Sequence, residues 1–167
     1  MWARRRPAAV SSPSQGPEVL PLYGEALSPG ARVGRFVVEA SVHRGEAATL
    51  YRAREGGAGP AVAVKVLHAP LTRSPSALRR FAQECETLSA LRHPHAVRLL
   101  DSGALHDGRP YLAMEWLEGR DLASELEARG PFSLSEARAA LAPVAEALDA
   151  AHALGLVHRD VKAQNVM

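Results

Sequence analysis

The chain has 167 residues, of which 47% are hydrophobic and 23% charged, and its formal net charge is only +2. This size and composition fit one globular domain and exclude a strongly basic surface of the kind that binds nucleic acid. The single cysteine, Cys85, excludes an internal disulfide, which fits a reducing compartment, so we expect a cytoplasmic protein. No signal-peptide pattern or run of eighteen apolar residues occurs, so the sequence predicts no membrane span.

Residues 1–34 are rich in proline, serine and glycine and show neither helix nor strand periodicity, which predicts a disordered leader. From Arg35 onward, short runs typical of strands appear as RFVVEASV, ATLYRARE and AVAVKVL, with GGAGP as a turn. Three successive strands predict an antiparallel meander.

The next segment, SPSALRRFAQECETLSALRHP, has apolar residues at helical spacing. Pro75 suits the first helical turn, and Pro94 ends the helix. Two further strands, AVRLLDSG and RPYLAMEW, are joined through Asp107-Gly108, which is a strong hairpin signal. We therefore predict five strands and one helix up to this point.

The rest of the chain is predicted to be helical. A first helix, DLASELEAR, ends at Gly130, and a long helix runs from Ser133 to about Leu154. Ser133 and Glu136 match a capping box. Pro143 conflicts with this start, since proline inside a helix costs about 3 kcal/mol, so we expect either a kink or a later start.

Strand alternation in AVAVKVL places Val62, Val64 and Val66 on one face and Lys65 on the opposite, largely apolar face. A charge in that position needs a partner. The alternative is an edge-strand lysine whose stem lies on apolar surface while its amine reaches water.

The order of these elements, together with the closing segment HRDVKAQNVM, resembles the protein kinases from about Arg35 to Met167. The resemblance implies an α+β, protein-kinase-like fold with a five-stranded antiparallel sheet. Residues 35–117 would form the N-lobe and hinge, and residues 118–167 would form the first helices of a truncated C-lobe.

In kinases, the lysine at the position of Lys65 binds the α and β phosphates of ATP and pairs with a helix glutamate. The same resemblance would place Ala63 against the adenine ring. Helical geometry favours Glu84 as the partner, because it lies at the border of the apolar stripe, whereas Glu86 faces away. We expect Glu86 to be a solvated surface charge.

The glycine-rich phosphate loop of kinases is only partly matched. Its three glycine positions correspond to His43, Gly45 and Ala48, so only Gly45 is kept. Glycines there let backbone amides approach the phosphates. The alternative for SVHRGEAATLY is an ordinary hairpin turn.

The segment YLAMEWLEGRD resembles the kinase hinge. By this resemblance Met114 is the gatekeeper, the carbonyl of Glu115 and the amide of Leu117 contact adenine, and Asp121 contacts ribose. The alternative is a strand that leads directly into a helix.

HRDVKAQNVM fits the kinase pattern HRDxKxxN. The resemblance implies that Asp160 positions a substrate hydroxyl and accepts its proton, that Lys162 neutralises charge on the transferred phosphate, and that Asn165 holds Mg²⁺. The spacing from Asp160 to Lys162 resembles serine/threonine kinases. ATP, Mg²⁺ and a protein with a serine or threonine acceptor are thus the expected cofactors and substrate.

The 167 residues contain no DFG or APE segment after the catalytic loop. We therefore expect an incomplete kinase domain whose activity by itself is in doubt. The rival interpretation is a non-catalytic fragment that binds nucleotide weakly or docks a partner protein. Such a partner would cover the apolar face of the long helix, which a complete lobe would bury, and its exposure predicts a marginal or aggregation-prone chain.

Overall fold

The computed structural model describes residues 26–167. These residues form two compact units, which we describe separately. The sheet unit contains the described residues up to Ala82 together with Leu100–Trp116, and the helical unit contains Gln83–Leu99 and Leu117–Met167. The strands are β1 Arg32–Val33, β2 Phe36–Arg44, β3 Ala48–Glu55, β4 Ala61–Leu67, β5 Leu99–Ala104 and β6 Pro110–Glu115, and the α-helices are α1 Pro75–Ala90, α2 Leu122–Arg129 and α3 Leu134–Ala153.

The strands form one sheet in the order β1-β2-β3-β4-β6-β5. The pairs from β1 to β4, and the pair of β4 with β6, are antiparallel. The predicted meander and the α+β fold are confirmed. The predicted strand count of five is short by one, because β1 has only two residues and cannot show periodicity.

The disordered leader predicted for residues 1–34 extends too far. Arg32 and Val33 pair with Val37 and Phe36, and the backbone amide of Leu27 donates to the Tyr51 hydroxyl at 2.9 Å. Val33 is fully buried, so this short strand belongs to the core. Residues 1–25 of the predicted leader lie outside the described residues.

The core of the sheet unit lies on the face that the alternation of AVAVKVL predicts. Val62, Val64 and Val66 are all nearly inaccessible to solvent. Burial of such side chains is the main favourable term in folding. The full core cluster consists of Val33, Phe36, Val38, Tyr51, Ala53, Val62, Val64, Val66, Tyr111 and Ala113.

The turn of the β5–β6 hairpin contains the Asp107-Gly108 pair, as the sequence predicts. Gly108 has a φ of 81°, a conformation that glycine adopts without steric cost. The Asp107 carboxylate accepts hydrogen bonds from the Arg109 backbone amide at 3.1 Å and from Arg109 Nε at 2.7 Å. These contacts fix the turn and begin β6.

Helix α1 starts at Pro75 as predicted, but its apolar stripe is only partly buried. Phe81 is buried, whereas Leu78, assigned to the same stripe, is 37% exposed. Ala77 is buried in its place. The helix therefore presents a face rotated slightly from the predicted one.

Helix α3 begins at the predicted capping box and continues through Pro143. Ser133 Oγ accepts from the Glu136 amide at 3.3 Å, and Glu136 Oε2 accepts from the Ser133 amide at 2.9 Å. The alternative of a later start is wrong. Two backbone donors satisfied at the N-terminus offset part of the cost of the internal proline.

None of the helices within residues 26–167 has the length and apolar character needed to cross a membrane.

Candidate active site

Lys65 lies in the middle of the sheet with its side chain 8% exposed. Its strand β4 is flanked by β3 and β6, where Leu50 and Leu112 are its register partners. The edge-strand alternative is therefore wrong. The Lys65 ammonium also lies 6.0 Å from the centre of the Phe81 ring, within the range of a cation–π contact. A buried ammonium on an apolar surface is suited to a strong anionic ligand.

Ala63 precedes Lys65 on the same face of β4, between Arg52 of β3 and Met114 of β6. Ala63 is half-buried, and Met114 is 1% exposed. Glu115 follows as the last residue of β6 and pairs with Val62. The role of Ala63 beside adenine, that of Met114 as gatekeeper and that of Glu115 as an adenine contact remain predictions.

The turn from β2 to β3 comprises Gly45, Glu46 and Ala47, and the Gly45 amide donates to the Ala48 carbonyl at 3.0 Å. The backbone of Gly45 does not have a positive φ. A Cβ placed there would lie 3.4 Å from the Ala48 carbonyl oxygen. The turn geometry alone thus does not demand glycine, and the phosphate-binding role of Gly45 remains a prediction.

In the helical unit, Glu84 is half-buried and Glu86 is exposed, so their surroundings agree with the choice of Glu84 as the functional residue. Leu117 is half-buried in the segment that precedes α2. The pairing of Glu84 with Lys65 and the adenine contact of Leu117 stay predictions.

Asp121 has a structural role that the sequence analysis did not assign. It is the N-cap of α2 and is 2% exposed. Its Oδ1 accepts from the Ser124 amide at 2.9 Å, and its Oδ2 accepts from the Ser124 hydroxyl at 2.8 Å. Both carboxylate oxygens are therefore engaged within the protein, and a ribose contact by Asp121 would have to share them.

The catalytic-loop residues come together around the Asp160 carboxylate. Lys162 Nζ lies 2.8 Å from Asp160 Oδ2, and Asn165 Nδ2 donates to the same oxygen at 3.0 Å. Asn165 Nδ2 also donates to the Asp160 backbone carbonyl at 2.7 Å. Two donors on one carboxylate oxygen fix its orientation in a part of the chain that is otherwise exposed.

The same contacts favour the ionised carboxylate. Hydrogen bonds from Lys162 and then from Asn165 lower the pKa of Asp160 below its ordinary value. Asp160 is thus a carboxylate at neutral pH, which is the form that can accept a proton.

His158 and Arg159 shape the backbone that leads into Asp160. The Asp160 amide donates to His158 Nδ1 at 3.3 Å, which assigns Nδ1 as an acceptor and the proton of the neutral ring to Nε2. Desolvation lowers the pKa of His158, which favours this neutral form. Arg159 has a φ of 62°, and it is the only residue other than glycine with a positive φ among residues 26–167. Such strained backbone is concentrated at functional sites.

The end of the loop is anchored to helix α2. Leu122 donates its backbone amide to the Val166 carbonyl at 2.7 Å, and Val166 is buried. A short 3₁₀ turn, Ala163–Asn165, precedes this anchor and carries Asn165. The buried Asp121 cap and the catalytic loop are therefore neighbours along the start of α2.

Oxygen donors suitable for a divalent cation are present in this loop. Mg²⁺ prefers carboxylate and amide oxygens, one or two from the protein, with phosphate and water oxygens as further ligands. Asn165 uses Nδ2 toward Asp160, which leaves its Oδ1 as the acceptor available to a cation. Clusters of three or more histidine, cysteine or acidic side chains suited to a metal are absent from residues 26–167.

His68 belongs to no motif in the sequence, yet its ring makes two hydrogen bonds within the sheet unit. Its ring contacts Thr49 and the β2–β3 turn. These partners lie 19 and 22 positions away in the chain. Only the register that places Thr49 opposite Val66 could have indicated the contact.

Comparison with known proteins agrees with this arrangement. The protein kinase domain family model matches residues 36–167. The serine/threonine-protein kinase Pkn1 of Myxococcus xanthus is 38% identical over 144 residues, which are 85% of this chain and 20% of that protein. The probable serine/threonine-protein kinase pknA2 of Bifidobacterium longum is 34% identical over 137 residues, which are 80% of this chain and 18% of that protein. The chain thus spans about a fifth of the length of these curated relatives.

Solved structures give the same result. The crystal structure of the Mycobacterium tuberculosis PknI kinase domain is similar with a TM-score of 0.72 and 30% sequence identity. The match covers 86% of this chain and 59% of that one. The family match, the relatives and the shared fold together show that this chain belongs to the protein kinase family, in its bacterial serine/threonine branch.

Proposed function

We propose that this chain is part of a serine/threonine protein kinase that transfers the γ-phosphate of ATP to a protein hydroxyl. The observation that carries the proposal is the Asp160 carboxylate, held by Lys162 at 2.8 Å and by Asn165 at 3.0 Å. A positioned, ionised carboxylate can orient an attacking hydroxyl and accept its proton. We assign the proton of the substrate hydroxyl to Oδ1 of Asp160, because Oδ2 already accepts the contacts from Lys162 and Asn165.

Use of ATP and a divalent metal ion is general in this family. We propose that Lys65 binds the α and β phosphates, helped by Glu84, and that the Gly45 turn covers the phosphates. Burial of Lys65 supports this role, because a desolvated ammonium attracts phosphate more strongly than one in water. Adenine would lie against Ala63 and bond to the backbone of Glu115 and Leu117.

Asn165 would hold Mg²⁺ through Oδ1, and the ion when bound would neutralise phosphate charge. We propose that Lys162 contacts Asp160 before phosphate transfer and the phosphate during transfer. In the structure it neutralises Asp160 at 2.8 Å, and at 50% side-chain exposure it can turn toward a transferred phosphate. We propose that residues 35–117 correspond to the N-lobe and hinge of the family and residues 118–167 to the start of the C-lobe.

The substrate class follows from the same loop. Protein kinases act on proteins, and the spacing of Lys162 two positions after Asp160 resembles the serine/threonine class. We therefore propose a serine or threonine side chain of a protein as the acceptor.

Asp160→Asn tests the proposal most directly, because asparagine keeps the size of the side chain but cannot accept the proton. The 167-residue chain, radiolabelled ATP, Mg²⁺ and a generic protein acceptor should give labelled phosphoserine or phosphothreonine. The variant should lose about 100- to 10,000-fold in rate, as expected for removal of a general base. Asp149→Asn, an exposed site on α3, is the matched control and should retain the wild-type rate.

Label incorporation that persists in Asp160→Asn would remove Asp160 as the base. Wild-type chain that binds ATP but transfers no label would instead favour the non-catalytic interpretation.

A further inference from the structure

His68 immediately follows β4 and makes three hydrogen bonds, two to the β2–β3 turn and one to Thr49 of β3. Its Nε2 lies 2.9 Å from Thr49 Oγ1, and its Nδ1 lies 3.2 Å from the Glu46 carbonyl oxygen. Its backbone amide donates to the Ala47 carbonyl at 2.9 Å. We call the two ring contacts the His68 bridge. All its members belong to the sheet unit.

The partners determine which ring nitrogen carries the proton. A carbonyl oxygen can only accept, so Nδ1 must donate to Glu46. In the neutral ring Nε2 is then the acceptor, and the Thr49 hydroxyl donates to it. Thr49 is 3% exposed, so water cannot easily replace its hydroxyl as the partner of Nε2, whereas the contact of Nδ1 with Glu46 is exposed. The bridge therefore connects a buried strand residue to the tip of the turn.

Charges around the ring favour this neutral form. Burial and the charge of Arg44 lower the pKa of His68, the bond to the Glu46 carbonyl raises it, and Arg109 lowers it further. Arg44 ends β2, and Arg109 precedes β6 with its Nε 2.7 Å from Asp107 Oδ2. Thus the elements around the ring contribute two cations, of which one is paired with a carboxylate.

The turn that the bridge holds is the one that corresponds to the glycine-rich loop, in which only Gly45 of three glycines is present. Gly45 makes one backbone bond across the turn, to Ala48. A loop whose amides must face phosphates benefits from a fixed backbone, because less conformational entropy is lost on binding.

We propose that His68 is a positioning residue for the phosphates of ATP, acting through the turn Gly45–Ala47 by way of the His68 bridge. This inference rests on the proposed function. The ring itself does not touch the nucleotide. It holds the Glu46 carbonyl in place, and the adjacent Gly45 and Ala47 amides are ordered with it.

The test compares Thr49→Val with Thr49→Ser in the 167-residue chain. Valine keeps the branched shape but removes the donor to Nε2, whereas serine retains a hydroxyl and should rescue the bridge. His68→Ala removes both ring contacts, and His106→Ala, an exposed histidine in the β5–β6 turn, is the control. Amide hydrogen exchange and the Kd values of ATP and adenosine are measured for each.

His68→Ala and Thr49→Val should speed exchange at Gly45 and at the amide of position 68 while exchange at Val64 in the core stays at the wild-type rate. Both variants should raise the Kd of ATP about fivefold, which corresponds to the net free energy of about one hydrogen bond. Adenosine binding should not change, since adenosine has no phosphates. Thr49→Ser and His106→Ala should match the wild type.

Faster exchange with unchanged ATP affinity would overturn the inference and leave His68 with a purely structural role. Equal loss of ATP and adenosine binding would overturn it too, as would wild-type behaviour of both variants. If the wild-type chain binds no ATP, the proposed function fails and the inference fails with it, whereas an ATP-binding chain with insensitive variants refutes the inference alone.

Discussion

The Asp121 carboxylate has a predicted role and an observed role that would use the same two oxygen atoms. By resemblance it contacts ribose, yet in the structure it caps α2 through Ser124 and is almost completely buried. The amide and the hydroxyl of one serine occupy both oxygens. The capping role therefore governs what substitution at this position should do.

Asp121→Ala should lower the free energy of unfolding by about 1–2 kcal/mol, because it removes an N-cap and leaves the half-buried donors of Ser124 without their protein partner. Asp121→Asn should retain most of the stability, since asparagine is a good N-cap. Urea unfolding followed by circular dichroism measures both. Equal stability of Asp121→Ala and wild type would show that the cap contributes little.

At the residue scale the motif spacing was enough to place Asp160, Lys162 and Asn165 in one cluster. Strand alternation likewise identified the face of Lys65. The contacts of His68 could not be predicted, because its partners lie 19 and 22 positions away and are brought to it only by the fold. The cap that Asp121 forms with Ser124 is local, and aspartate just before a helix is a signal that could have indicated it.

At the scale of elements, α3 shows that a helix with a strong start signal can form in spite of an unfavourable internal residue. The capping box satisfies two donors at the helix start, and the helix then passes through Pro143. Sequence rules leave this outcome open, because the cap contributes about 1 kcal/mol against about 3 kcal/mol for the proline, and tertiary packing of the helix supplies the remainder. The two-residue strand β1 was missed for another reason, since its only evidence is its pairing with β2.

The capping box should make α3 sensitive to acid. Hydrogen bonds from Ser133, and then from Arg129, lower the pKa of Glu136 from 4.5. A folded-state pKa below the unfolded value contributes stability above pH 4.5, and this stability is lost as the pH falls through the folded value. We expect far-UV circular dichroism between pH 5 and pH 2 to show loss of helix.

Glu136→Gln should reduce the change in the far-UV circular dichroism signal between pH 5 and pH 2, because glutamine can still cap the helix but does not titrate. Glu127→Gln on α2 is the control and should leave the curve unchanged. An identical acid transition in Glu136→Gln and wild type would show that the capping box does not contribute to it.

For the molecule as a whole, α3 exposes apolar side chains to solvent. Leu134 is 89% exposed and Leu141 is 50% exposed. The expectation that the whole helix face lies open is only partly correct, because Ala151 is buried. Val144 and Leu148 line a cavity of about 120 Å³ in the helical unit instead.

Leu134→Glu combined with Leu141→Lys should reduce self-association of the chain without lowering its melting temperature. Exposed leucines add little to stability but favour association. Glutamate in the first helical turn is also favourable. Light scattering as a function of protein concentration measures the effect, and Ala145→Lys, at an exposed position on the same helix, is the control. Unchanged association in the double variant would exclude this surface as its cause.

The sheet order has a consequence for how the fold assembles around Lys65. Turns of three and five residues close the pairs β2–β3 and β3–β4, whereas 42 residues, from His68 to Arg109, separate β4 from β6. For an unstructured chain, loop-closure entropy makes the longer connection about 2 kcal/mol more costly than the five-residue turn. The strand that carries Lys65 thus gains one neighbour locally and the other only when α1 and the β5–β6 hairpin have been ordered. Burial of Lys65, the residue that we propose binds phosphate, therefore depends on the most non-local strand pairing in the described sheet, so that role requires the sheet to fold completely.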